Sequence, residues 1–114
     1  MIVRTASGIE MNSAVVSNYF NSLVGSFFKI LPLYESRESS LRIYMECLRD
    51  ELEGCSHVLE NINYDSMFLS LIASLQYMID NLDNEACDAH IYKRKVFSAI
   101  SMCNKLSQRY SGNS

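Results

Sequence analysis

Hydrophobic residues recur along this chain at every third or fourth position, the spacing that places them on one face of an α-helix. The first such stripe covers residues 16–31 and is rich in phenylalanine. Asn12 and Ser13 precede the stripe, and both can cap the free N–H groups of a first helical turn. Because the residue before a proline resists the α conformation, the pattern predicts that this helix ends one or two residues before Pro32.

Three more helical stripes follow, and no segment shows the alternation that is typical of a strand. In chain order the pattern predicts a connection at 33–38, a second helix to Glu53, one or two turns within 55–61, a third helix after Asp65, and a last helix that starts between 84 and 88 and ends at Tyr110. Gly54 suits a left-handed C-cap, and Asp65 suits an N-cap. The third stripe lacks charge from Ser66 to Ile79, which predicts deep burial.

The chain is therefore predicted to be all-α, a compact bundle of four main helices with a short extra helical turn after the second. We expect a flexible leader at 1–11, a single domain at 12–110 and a frayed tail at 111–114. Apolar residues make up 48% of the 114 residues, which is enough to fill a core. No apolar run is long enough for a membrane span and no signal peptide is visible, so we predict a cytoplasmic protein.

Charge is distributed unevenly along the chain. Residues 35–88 carry a net charge of −9, whereas residues 89–114 carry +5 without a single acid. One explanation is internal neutralisation, with the basic last helix lying beside acidic helices. The other is a basic face that binds nucleic acid or an acidic protein, although five positive charges make a thin footprint for nucleic acid.

Two charged sets are the candidate partner-binding residues. They are Glu46, Asp50, Glu51 and Glu53 on the second helix, and Lys93, Arg94, Lys95, Lys105 and Arg109 on the last. The acidic set would suit the basic channel of a nucleic-acid-binding protein, and the basic set would suit an acidic patch. Tyrosine is enriched at interfaces, so tyrosines without an obvious core position favour a protein partner or a homodimer. These tyrosines are Tyr34, Tyr64, Tyr77, Tyr92 and Tyr110.

Catalytic and metal chemistry find little support in the spacing of the reactive residues. Cys55 and His57 are the only local nucleophile–base pair, and Cys87 and His90 could share a helix face. Neither pair has the tight spacing of a structural zinc site. The remaining cysteines lie in helical patterns, where small buried thiols are expected. The sequence therefore predicts no enzyme activity, no metal and no cofactor.

Several helical segments resemble a family of short proteins encoded by prophages and mobile elements of Gram-positive bacteria. The similar segments are 19–24, 28–32, 48–55, 95–97 and 103–106, within a stretch that covers about residues 15–107. The leader before Met11 departs from the family pattern, and no catalytic residue is carried over. The resemblance implies a small accessory protein, of a kind that often inhibits a host complex or acts as a small regulator.

The leading hypothesis is a non-enzymatic protein-interaction module. Its more specific form is a phage- or mobile-element-encoded inhibitor of a host defence complex such as a CRISPR effector. The alternative is a small nucleic-acid-binding regulator that uses the basic last helix. A third hypothesis, an enzyme or metal protein, would depend on Cys55, His57, Cys87 and His90.

Overall fold

A computed structural model describes residues 2–4, 10–58, 62, 65–83 and 88–110. Its elements, in chain order, are β1 (Ile2–Arg4), β2 (Glu10–Asn12), α1 (Ser13–Phe28), α2 (Ile30–Glu35), α3 (Leu41–Val58), α4 (Ser66–Asp80) and α5 (Ala89–Tyr110). The prediction of an all-α bundle with four main helices is confirmed. Helices α1 and α2 follow each other closely and form one of the four, and α3, α4 and α5 are the other three.

Helix α5 lies between α1 and α4, and α3 packs against α4 and α2. Each helix contributes one apolar face to a single core, which includes Phe20, Phe27, Phe68 and Tyr92 with no solvent exposure. Helix α4 buries one face in the same way, but Ser66, Leu69, Ser70 and Ala73 on its other face are exposed. The lack of charge in α4 therefore does not mean that the whole helix is buried.

The predicted end of the first helix before Pro32 is wrong. The helical path breaks for one residue at Lys29, and Pro32 lies in the first turn of α2. N–H groups of a first turn have no partner within their own helix, so a proline there removes no helical hydrogen bond. The connection consequently lies after Glu35 and not at 33–38.

The predicted helix end at Gly54 is also wrong, since α3 continues through Gly54 to Val58. The extra helical turn expected after the second helix is thus part of α3. Gly54 does not take a left-handed conformation, and a β-carbon added there or at Gly25 would meet no other atom within 4 Å. Both glycines are tolerated in exposed helix positions, where a glycine costs only about 1 kcal/mol relative to alanine.

Two short antiparallel strands, β1 and β2, pair before α1, with Val3 opposite Met11. The sequence pattern predicts no strand here, because three-residue strands are too short to show alternation. That the leader is flexible stays a prediction. The predicted N-terminal cap at Asp65 is confirmed, because its carboxylate accepts hydrogen bonds from the backbone N–H groups of Met67 and Phe68. The sequence pattern predicts no cap for the last helix, where the Asp88 carboxylate accepts a hydrogen bond from the His90 N–H.

Tyr92 connects four helices from the centre of the bundle. It was grouped with the surface tyrosines, but it has no exposed surface. Its hydroxyl donates to the carbonyl oxygen of Met78 on α4 at 3.1 Å and lies 3.4 Å from the sulfur of Met45 on α3. Its ring stacks on Tyr34 of α2, with the ring centroids 4.0 Å apart.

The Tyr92 hydroxyl satisfies a carbonyl that the end of α4 leaves free. In a continuing helix the Leu82 N–H would bond to Met78, but it bonds to the Ile79 carbonyl oxygen. Asn81 covers the Tyr77 carbonyl with its backbone and side-chain N–H groups. Since buried carbonyls must be paired, the Tyr92 hydroxyl completes the C-terminal turn of α4.

A pair of serines holds α1 against α5 near the other end of the bundle. The Ser17 hydroxyl donates to the Ser107 carbonyl oxygen at 2.7 Å, and the Ser107 hydroxyl donates to the Ser17 carbonyl oxygen at 2.9 Å. The reciprocal bonds join segments 90 residues apart in the sequence. Small side chains allow the two backbones to approach closely at this point.

Helix α2 ends in a Schellman motif, with Arg37 where glycine is usual. The Glu38 N–H bonds to the Leu33 carbonyl, the Arg37 N–H bonds to the Tyr34 carbonyl, and Arg37 has a φ of 55°. A left-handed conformation costs a residue with a β-carbon roughly 1–2 kcal/mol.

Tyr92→Phe should lower the free energy of unfolding by about 1–2 kcal/mol, because the buried Met78 carbonyl loses a donor. Tyr34→Phe is the matched control on the stacked ring, and it should change stability by less than about 0.5 kcal/mol. Urea denaturation followed by circular dichroism measures both. Equal effects of the two substitutions would contradict the role of the Tyr92 hydroxyl.

Arg37→Gly should raise the free energy of unfolding by about 1 kcal/mol, since glycine removes the strain of the left-handed backbone. Arg37→Ala keeps the β-carbon and should leave stability close to that of the parent protein. Thermal denaturation of the three proteins compares them. A glycine variant no more stable than the alanine variant would contradict this explanation.

Candidate protein-docking face on α1 and α5

The five cations of α5 divide into two groups. Lys93 pairs with Glu35 of α2 at 3.2 Å, and Arg109 pairs with Asp65 at the start of α4. The Lys95 ammonium lies 4.9 Å from the centre of the Tyr77 ring on α4, a cation–π contact. The explanation by internal neutralisation therefore holds for Lys93 and Arg109, whereas Lys95 contacts an uncharged ring.

Arg94 and Lys105 are exposed, and neither makes an ion pair with a described residue. They lie on the outward side of α5 together with Ser98 and Ser101. The intervals of four, three and four residues put all of these side chains in one stripe along the helix. The two cations mark its ends, about 16 Å apart at 1.5 Å per residue.

An exposed aromatic pair borders this stripe on the side of α1. Phe97 of α5 is 51% exposed and Phe28 of α1 is 45% exposed. Their rings meet edge to face, with centroids 6.2 Å apart. We name the surface formed by Phe28, Arg94, Phe97, Ser98, Ser101 and Lys105 the α1/α5 face.

Neither helix of this face contributes a carboxylate. Helix α1 has no charged residue at all, and α5 has cations only. The described acids lie instead on α3, in the connections and at the ends of helices. The charged residues predicted to bind a partner do not include any on α1, although the uncharged outward positions of this helix, such as Asn18, Asn21 and Ser22, are a signal in the sequence.

Three of the four acidic candidates of α3 share one side of the helix. Glu46, Asp50 and Glu53 follow one another at intervals of four and three residues, which puts them within about 60° of each other. Glu51 points about 160° away from Glu53 and lies beside Tyr44, whose pKa is raised by burial and further by this carboxylate. Asp50 pairs with its neighbour Arg49 at 3.2 Å, and Glu46 is half-buried. The predicted acidic set therefore divides into three residues on one side of α3 and Glu51 on another.

A cleft of about 1180 Å³ lies where α2, α3 and α5 meet at one end of the bundle. Two ion pairs, Lys93 with Glu35 and Arg42 with Asp83, line it together with Arg37 and Glu38. Its charges balance, so it does not select a ligand of one sign.

The described cysteines are not activated nucleophiles. Cys47 is exposed, which corrects the expectation of a buried thiol, whereas Cys103 is fully buried. Burial raises the pKa of the Cys55 thiol and raises that of Cys103 to about 12, so both stay protonated at neutral pH. Cys55 lies beside the buried Tyr19 hydroxyl, and burial together with this neighbouring thiol raises the pKa of Tyr19.

Some of the other residues predicted to be functional lie outside the described part of the chain. This applies to Cys87, to the side chain of His57 and to Tyr64, whereas His90 is exposed at the start of α5. Within the described part of the chain, no three His, Cys, Asp or Glu residues form a group that could hold a metal ion. The expected lack of a metal, a cofactor and enzyme activity stays a prediction.

The chain matches no protein-family model, no curated protein and no solved structure. Its resemblance to prophage-encoded proteins therefore stays a prediction. None of the described helices is long and apolar enough to cross a membrane.

Burial of Cys103 predicts a loss of stability at high pH. The ordinary thiol pKa of 9.0 applies to the unfolded chain, and the folded value is about 12. Stability is thus fully present below pH 9 and falls above it, where the unfolded state loses a proton that the folded state keeps. The contribution of this thiol should fall by about 1.4 kcal/mol per pH unit.

Cys103→Ala should remove this contribution, so that its stability falls less steeply above pH 9 than that of the parent protein. Urea denaturation at several pH values compares the two slopes. Parallel curves would show that the buried thiol does not retain its proton.

Proposed function

We propose that this protein is a non-enzymatic interaction module that binds an acidic partner protein through the α1/α5 face. The observation that carries the proposal is the division of the α5 cations. Lys93, Lys95 and Arg109 contact neighbouring helices, whereas Arg94 and Lys105 are left beside two exposed phenylalanines. Arginine and aromatic residues on a surface without carboxylates match the composition of a protein interface.

The same surface supports a protein partner better than nucleic acid, the alternative use of α5. Nucleic-acid affinity depends on the number of phosphates that cations neutralise. Three of the five cations of α5 are engaged within the chain, which leaves two on the outward stripe. Two cations are enough to guide and orient an acidic protein partner, and the phenylalanines supply the apolar contact.

An inhibitor of a host defence complex, such as a CRISPR effector, is the more specific form of this proposal. It rests on the resemblance to proteins of prophages and mobile elements. A small module with one cationic and aromatic face is suited to covering an acidic surface of a larger complex. A homodimer, in which a second copy supplies the partner surface, is another specific form of the proposal. Light scattering distinguishes a homodimer from a monomer that binds a different protein.

Photo-crosslinking tests the proposed face. Benzoylphenylalanine at position 97 should form one dominant adduct with a protein from the cell that produces this chain. The same group at position 43 is the matched control, because Ile43 is exposed to 67% on the outward side of α3, more than Phe97 at 51%. Random encounters would therefore favour position 43.

Arg94→Glu in the crosslinking protein should reduce the yield of the adduct at position 97, since it places a carboxylate opposite an acidic partner. Adducts of equal yield at positions 97 and 43, or an adduct at position 43 alone, would contradict the proposed face.

A further inference from the structure

The α1/α5 face has a shape as well as a charge. At the centre of its stripe, Ser98 and Ser101 lie between the two cations. Two helices pack with their axes about 8–10 Å apart, and small residues at the contact permit the closer distances. The two serines therefore leave room for a second helix to approach α5 closely beside the phenylalanines.

The charges at the ends of the stripe define a length. Arg94 and Lys105 are separated by 11 positions, which is close to three helical turns and about 16 Å. A straight helix lying along α5 presents two of its own residues at this same separation on one face. A strand presents residues of one face at multiples of about 6.6 Å, so two of its carboxylates would lie about 13 or 20 Å apart and would match this separation less closely.

We propose that the partner segment is an acidic amphipathic helix that lies along α5. Two of its carboxylates, about three turns apart, pair with Arg94 and Lys105, and an apolar side chain between them contacts Phe97 and Phe28. This inference rests on the proposed function, and it adds the conformation and charge spacing of the partner. Helix-in-groove docking of this kind is a recurrent mode of peptide recognition.

The probe is a synthetic helical peptide of about 18 residues, with two glutamates 11 positions apart and leucines between them on the same face. The control peptide has the same composition, but both glutamates are moved by two positions, which turns them about 160° away from the leucines. Fluorescence anisotropy with the full chain should give an affinity about tenfold higher for the first peptide. Equal affinities would overturn the proposal.

Two single substitutions distinguish binding along the stripe from non-specific attraction between opposite charges. Arg94→Gln should weaken binding of the first peptide by about threefold, as expected for an exposed ion pair. Lys93→Gln removes the same charge from the neighbouring position, but Lys93 contacts Glu35 and not the stripe, so it should leave the affinity unchanged. Equal losses in both variants would show non-specific attraction and would overturn the proposal.

The same experiment can show that one of two other ligands, nucleic acid or a second copy of this chain, occupies the α1/α5 face. A labelled single-stranded oligothymidine that competes with the first peptide at physiological salt would overturn the acidic-helix proposal in favour of nucleic acid. Light scattering that shows a dimer abolished by Arg94→Gln would overturn it in favour of a second copy. If the peptides do not bind while the crosslink at position 97 forms, the helix inference fails and the proposed function stands.

Discussion

The buried hydroxyl of Tyr92 is the constraint on which the arrangement of the helices depends. A tyrosine without exposed surface must place its hydroxyl on a partner, and the free Met78 carbonyl at the end of α4 is that partner. The bond sets the rotation of α5 against α4, and stacking on Tyr34 brings α2 to the same point. The Ser17–Ser107 pair sets the approach of α1 at the other end of α5.

Once the inward face of α5 is set, its outward face is determined too. Tyr92, Val96, Cys103 and Leu106 are buried, so the positions that point away from them must lie in solvent. Those positions are occupied by Arg94, Ser98, Ser101 and Lys105. The candidate docking face is thus a direct geometric consequence of the way in which α5 packs.

The ion pairs of the bundle matter more for the location of charge than for stability. The Lys93–Glu35 and Arg42–Asp83 pairs are largely exposed, and such pairs contribute only about 0–1 kcal/mol each. Their effect is to occupy the cations at the flanks of α5 and at the end of the bundle. On α5, the cations of the outward stripe are Arg94 and Lys105, which make no ion pair with a described residue and lie on the same face as the exposed aromatic pair.

The sequence by itself determined the helical class, the number of main helices and the cap at Asp65, because these depend on local periodicity and on a side chain close to the backbone that it caps. Local rules misplaced the helix ends at Pro32 and Gly54, since each residue is tolerated in its helical position. Only the tertiary structure decided which charges are neutralised. Lys93 and Arg94 are neighbours in the sequence, yet one meets Glu35 and the other faces solvent, because 100° of helical rotation separates them and the partner carboxylate lies far away in the chain.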